Sequence, residues 1–126
     1  MVQWSQFQDE GDEMIDSTLM AAILDSLKDP LLFTDTQHTI RYMNKAALAY
    51  YSEGEKLLGR SLLECHNETS RQIIIETLAD MQAGLEERLI TDNEKHRIYM
   101  RAVRDTDGQI VGYYERYEPP TKGANP

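Results

Sequence analysis

The segment from Asp29 to Arg60 constrains the fold of this chain most, because turn-forming residues interrupt it at short intervals. The apolar run after Pro30 predicts a strand at Leu31–Asp35. The polar residues Thr36-Gln37-His38 form a turn signal, and a second apolar run predicts a strand at Thr39–Met43. The segment therefore opens with a predicted β-hairpin.

The remainder of the chain continues this pattern of short elements. Apolar residues recur at helical spacing over Ser70–Ala83, and Gly84 is a stop signal after them. Glycine at Asp107-Gly108 supplies the positive φ of a tight turn between two strands. The other predicted elements are short helices at Lys45–Tyr51 and Glu53–Leu58, and strands at Glu86–Thr91, Lys95–Arg104 and Ile110–Tyr117. These elements predict an α+β fold with a five-stranded antiparallel sheet and its helices on one face.

An amphipathic helix is predicted before this unit, at residues 12–28. Acidic residues in its first turn suit the positive end of the helix dipole. Residues 1–11 and 119–126 are polar and are expected to be flexible, which leaves 29–118 as the folded domain. The apolar stripe of the helix, an expected dimer interface, contains Ile15, Leu19, Ala22 and Ile23.

The order of these signals resembles the opening of a PAS sensor domain. In that family an Asp-Pro before the first strand, an Asp at its end, an Asn after the second strand and a Gly-Arg after small helices recur in this order. The matching positions are Asp29-Pro30, Asp35, Asn44 and Gly59-Arg60. The resemblance covers about Leu27 to Glu118. It implies a PAS fold in a sensory or signalling module, either free-standing or part of a larger sensor.

Charge and hydropathy exclude several partners. A formal net charge of -9 disfavours nucleic acid, whose affinity for proteins comes largely from Lys and Arg on phosphates. The longest apolar runs, such as Ile73-Ile74-Ile75, are far shorter than the ~20 residues that span a bilayer. The acidic N-terminus does not match a secretory signal. We therefore expect a soluble cytoplasmic protein without a membrane partner, and its single cysteine, Cys65, excludes an internal disulfide.

Enzymatic activity is not expected. The candidate groups Cys65 and His66 are adjacent, and neighbouring side chains point in different directions, so they do not form a nucleophile–base pair. PAS domains of many specificities carry a His-Pro-Glu-Asp-like segment at the entry to the long helix, which here reads His66-Asn67-Glu68-Thr69. The resemblance thus implies a structural His66. A lesser alternative is haem or metal ligation by His66 with Cys65 as a second ligand.

The resemblance also bears on cofactors. In flavin-binding light sensors of the family the reactive cysteine follows almost directly on the Gly-Arg, where this chain has Leu62. In the haem-binding oxygen sensors the proximal histidine lies inside the long helix, roughly at Ile74. Flavin and haem of these types are therefore disfavoured, and the identity of any cofactor stays open.

Two functions fit this resemblance. One is a sensory module that binds a small molecule between the long helix and the sheet and signals through a homodimer or a signalling-protein partner. The other is a ligand-free dimerisation or interaction module whose interior is solid core. Both use the same predicted interior residues, which are Phe33, Met43, Leu48, Ile74, Leu78, Leu89, Met100 and Tyr114.

Overall fold

The computed structural model describes residues 15–120. These residues form a five-stranded antiparallel sheet in the order β2-β1-β5-β4-β3. The strands are β1 (Leu32–Asp35), β2 (Ile40–Met43), β3 (Glu87–Asp92), β4 (Arg97–Arg104) and β5 (Ile110–Glu118). The α-helices are α1 (Met20–Asp25), α2 (Lys45–Tyr50) and α3 (Glu68–Gln82), with a π-helical turn at Ile15–Leu19 and 3₁₀ turns at Gly54–Leu57 and Leu62–Cys65. The predicted PAS architecture is thereby confirmed.

The hairpin of β1 and β2 is closed by the side chain of Asp35. Its Oδ1 accepts the backbone N–H of Gln37 at 2.9 Å and that of Thr39 at 3.0 Å. Between them His38 adopts a positive φ of 65°, a conformation that the polar turn tolerates. The turn therefore places β2 beside β1 at the edge of the sheet.

Helix α3 packs one face onto the sheet. Asn67 caps its first turn, since its side chain accepts the N–H of Ser70 at 2.8 Å. The core combines buried side chains of α3 with those of the sheet and of the segment between β2 and α3. These buried apolar residues are Leu32, Ile40, Met43, Ala47, Leu57, Leu62, Ile74, Leu78, Met81, Met100 and Tyr113.

Asn44 joins the N-terminal helix to this core. The fully buried side chain donates from Nδ2 to the carbonyls of Leu24 at 2.9 Å and Asp29 at 3.1 Å. Its Oδ1 accepts the N–H groups of Leu31 and Ala47, each at 2.9 Å. One asparagine therefore fixes the end of α1, the entry to β1 and the start of α2, which explains why this position needs both a donor and an acceptor.

Several predicted boundaries need correction. The long helix begins at Glu68, two residues before the predicted start at Ser70, because Asn67 caps its first turn. The helix predicted at 12–28 is described from Ile15 and its α-helical part ends at Asp25. The 3₁₀ turn at Leu62–Cys65 was not predicted. The predicted flexible segment 1–11 and most of the tail 119–126 lie outside the described residues.

Candidate ligand-binding cavity

A cavity of about 280 Å³ lies beside α3, between that helix, the sheet and the short helices that follow β2. An apolar cavity of roughly 150 Å³ holds benzene, so this volume accommodates a molecule about twice that size. Half of the sixteen lining residues are aliphatic. These side chains are Leu32, Ile40, Leu57, Leu62, Ile73, Ile74, Ile90 and Ile98.

One part of the lining is polar and centres on Glu115. This side chain is only 7% exposed, although it carries a carboxyl group. Glu115 and Tyr117 are two residues apart on β5, so they lie on the same face of the sheet. The Tyr117 hydroxyl donates to Oε1 of Glu115 at 3.4 Å, and it is also hydrogen-bonded to the Tyr51 hydroxyl. The result is a chain of three polar groups in an apolar surrounding.

Burial dominates the electrostatics of this group. It raises the pKa of Glu115 above the ordinary value of a glutamate, while His66 and the Tyr117 hydroxyl act more weakly in the opposite direction. Burial also raises the pKa of Tyr51 and Tyr117, and the Glu115 carboxyl adds to that rise. Both phenols therefore remain protonated hydrogen-bond donors at neutral pH.

Three tyrosine rings cluster at the cavity wall. The ring of Tyr50 lies 5.0 Å from that of Tyr51 and 5.7 Å from that of Tyr117, both edge to face. His96 contacts Tyr117 from another side, with 5.6 Å between the ring centres. All three tyrosines line the cavity together with Glu115.

His66 and Cys65 lie at the start of α3 and also line the cavity. The Nδ1 of His66 lies 2.8 Å from the Leu62 carbonyl, so a protonated Nδ1 donates to the 3₁₀ turn that precedes it. Cys65 is exposed. Within residues 15–120 no three His, Cys, Asp or Glu side chains are arranged to hold a metal ion. The hydrogen bond of His66 therefore connects it to the 3₁₀ turn that precedes α3.

The predicted interior residues fall into three groups. Ile74 lines the cavity, whereas Met43, Leu78 and Met100 are buried core and Leu48 packs against that core. The prediction was wrong for the other three, because they lie on the face of the sheet that points away from α3. These residues are Phe33, Leu89 and Tyr114.

Strand parity explains this correction. In β1 the buried positions are Leu32 and Thr34, so Phe33 between them faces outward and pairs with Tyr114 across the ladder. Its ring lies over Gly112, where an added Cβ would come within 2.5 Å of Cζ. Leu89 is 41% exposed. The face of the sheet that points away from α3 therefore carries two aromatic residues, Phe33 and Tyr114, that were predicted to lie in the interior.

The polar residues of the cavity were missed for a related reason. Buried positions at Tyr113 and Glu115 alternate with more exposed ones along β5, and the same parity brings Tyr117 to the inner face. An acidic residue is rarely buried, so composition alone places it in solvent. Tyr113 and Tyr117, each two residues from Glu115 and therefore on the same face of the strand, are the signal that could have located it.

Comparisons with known proteins agree with this architecture. The family model described as PAS fold matches residues 24–123. A search of curated proteins finds no match. The PAS domain of BvgS from Bordetella pertussis superposes with a TM-score of 0.63 at 17% identity, covering 90% of each chain.

Two further solved structures share the fold. A PAS domain from Colwellia psychrerythraea has a TM-score of 0.62 at 17% identity and covers 83% of this chain and 97% of its own. A sensory box sensor histidine kinase from Vibrio cholerae has a TM-score of 0.57 at 14% identity, covering 86% and 94%. No helix within residues 15–120 is long and apolar enough to cross a membrane.

Proposed function

Because this chain belongs to the PAS family of sensory and signalling modules, we propose that it binds a small molecule in the cavity beside α3 and reports its occupancy through a homodimer. The observation that carries the proposal is a mostly apolar cavity of about 280 Å³ with a buried carboxyl group in its wall. Ligand sites in proteins combine an apolar lining with a few placed polar groups in this way.

The polar groups argue against a cavity that is only a packing defect. Burying a carboxyl group among apolar side chains is costly unless it is well hydrogen-bonded, and Glu115 has one long hydrogen bond from Tyr117. A solid core would place an aliphatic side chain at this position at lower cost. A ligand that pairs with the carboxyl gives the residue a function that offsets its cost.

The exposed apolar surface of the protein favours a homodimer as the assembly through which it signals. Apolar side chains on the N-terminal helical segment are largely exposed, with Leu19 at 52%, Met20 at 55% and Ile23 at 49%. The outward face of the sheet adds Phe33 and Tyr114. A symmetric pairing of two copies removes both surfaces from water at once.

Filling the cavity tests its role. Ile74 is 2% exposed and lines the cavity, so Ile74→Trp places an indole into that space. If the cavity is open, the variant melts close to the wild type and loses the bound small molecule. If the interior is solid, overpacking costs about 1–3 kcal/mol and the chain acts as a ligand-free interaction module. The control is Ile75→Trp, at an exposed position of the same helix.

A further inference from the structure

The geometry points to a small organic amine in its protonated form as the ligand, held by the Glu115 carboxylate beside the rings of Tyr50, Tyr51 and Tyr117. This inference rests on the proposed function, since it assigns the chemical class of the molecule that the cavity binds. It depends on the charge of the lining, on the unpaired state of the carboxyl and on the aromatic wall.

Glu115 is the acidic side chain of the cavity lining, and that lining contains no lysine or arginine to pair with it. None of the ion pairs within residues 15–120 involves Glu115, and the hydrogen bond from the Tyr117 hydroxyl, at 3.4 Å, is the only one that its side chain forms there. A buried carboxylate requires a positive partner or further hydrogen bonds. An ammonium group brings three donors and the missing charge.

The remaining lining favours a cation over an anionic ligand. It contains neither Lys nor Arg, and the titratable groups that face the cavity with Glu115 are His66, Cys65 and the three tyrosines. Aromatic rings attract cations through the negative charge of their faces, and tyrosine clusters beside a carboxylate stabilise ammonium groups in this way. The aliphatic part of the wall then accommodates the apolar body of the amine.

Proton linkage gives this binding a distinct pH dependence. Burial raises the pKa of Glu115, so at any pH where the free carboxyl is protonated an ammonium ligand displaces that proton, which is released to solvent. Competition between this proton and the ligand weakens binding as the pH falls, so amine affinity rises with pH until Glu115 is ionised in the free protein. A neutral ligand shows no such proton release.

The experiment is isothermal titration calorimetry of the full chain with three matched probes. They are 2-phenylethylamine, its neutral analogue 2-phenylethanol and the anion phenylacetate. We expect the amine to bind at least about tenfold more tightly than the alcohol, a difference of about 1.4 kcal/mol, and phenylacetate not to bind. The heat of amine binding should vary with the ionisation enthalpy of the buffer, because a proton is released.

Two glutamine variants separate the buried carboxyl from the general negative charge of the protein. Glu115→Gln should lose at least about tenfold in amine affinity, and the affinity that remains should not rise with pH as that of the wild type does. The control Glu64→Gln removes an exposed carboxylate near the cavity, where Glu64 pairs with Arg60, and should bind as the wild type does.

Three results overturn the amine assignment. The first is that the alcohol or phenylacetate binds as tightly as the amine or more tightly. The second is that Glu115→Gln binds the amine with unchanged affinity. The third is that the protein co-purifies with a ligand that has no amine group. If the alcohol, phenylacetate or another molecule binds to the wild type and Ile74→Trp abolishes that binding, the amine assignment fails but the proposed binding function of the cavity stands. If no probe binds and no molecule co-purifies with the wild type, the cavity function itself fails together with the amine assignment.

Discussion

Glu115 and Tyr117 lie two residues apart on β5, and the hydroxyl of Tyr117 donates to Oε1 of Glu115 at 3.4 Å on the inner face of the sheet. The same hydroxyl is hydrogen-bonded to that of Tyr51, which follows α2. The contact therefore connects the central strand of the sheet to the segment that closes the cavity. A ligand that pairs with Glu115 acts directly on this connection.

We predict that Glu115→Gln stabilises the unliganded protein at neutral pH. The pKa of Glu115 is higher in the folded state than in the unfolded state. Its contribution to the free energy of unfolding is therefore fully present below the unfolded pKa and is lost as the pH rises through the folded pKa. Glutamine resembles the protonated acid and does not titrate. Urea unfolding should therefore show little difference near pH 4 and a more stable variant near pH 8. A variant less stable than the wild type at pH 8 would contradict the neutral, buried carboxyl.

Replacing Asn44 with alanine should cost about 3 kcal/mol in the free energy of unfolding. The change removes four hydrogen bonds of a fully buried side chain and leaves the carbonyls of Leu24 and Asp29 and the N–H groups of Leu31 and Ala47 without this partner. Chemical denaturation measures the loss. The control Asn67→Ala removes one exposed cap and should cost about 1 kcal/mol. Equal losses in the two variants would show that Asn44 does not connect the three segments.

His66→Ala should lower the free energy of unfolding by about 1–2 kcal/mol and leave any bound ligand in place. Its Nδ1 contact with the Leu62 carbonyl, at 2.8 Å, is one hydrogen bond, and its loss has that usual cost. Absorbance spectra and melting curves measure both effects. A Soret band in the wild type that is missing from the variant would establish haem ligation instead.

Ile23→Asp should convert a dimer into a monomer. The substitution places a charge on the exposed apolar surface of α1, where a symmetric interface would bury it without a partner. Sedimentation at micromolar concentration compares it with Ile75→Asp, which puts the same charge on an exposed isoleucine of α3. The dimer proposal requires that the wild type and the control Ile75→Asp are both dimers. A monomeric wild type refutes it.

Local signals account for the parts of the fold that the sequence predicts well. Asp35 and Asn44 act through hydrogen bonds to nearby backbone groups, so their residue types indicate the turn and the helix start directly. The five strands and the long helix follow from turn residues and periodicity. These features require no knowledge of the other elements.

The interior of the cavity could not be predicted in the same way. Leu31, Leu32 and Phe33 are all apolar, so alternation does not tell which of them faces the helix in a strand of four residues. Pairing with β5 decides it, and that pairing is non-local. Glu115 was missed because its burial depends on α3 and on the segment after α2, both distant in sequence.

Native mass spectrometry of the full chain, purified without denaturation, tests the central claim most directly. A protein that binds a small molecule in this cavity should carry a noncovalent organic adduct, either as purified or after incubation with the amine, alcohol and acid probes. Ile74→Trp should remain folded and lack the adduct, while Ile75→Trp should retain it. A wild type that shows only its bare mass under every condition, together with a strongly destabilised Ile74→Trp, would contradict the claim.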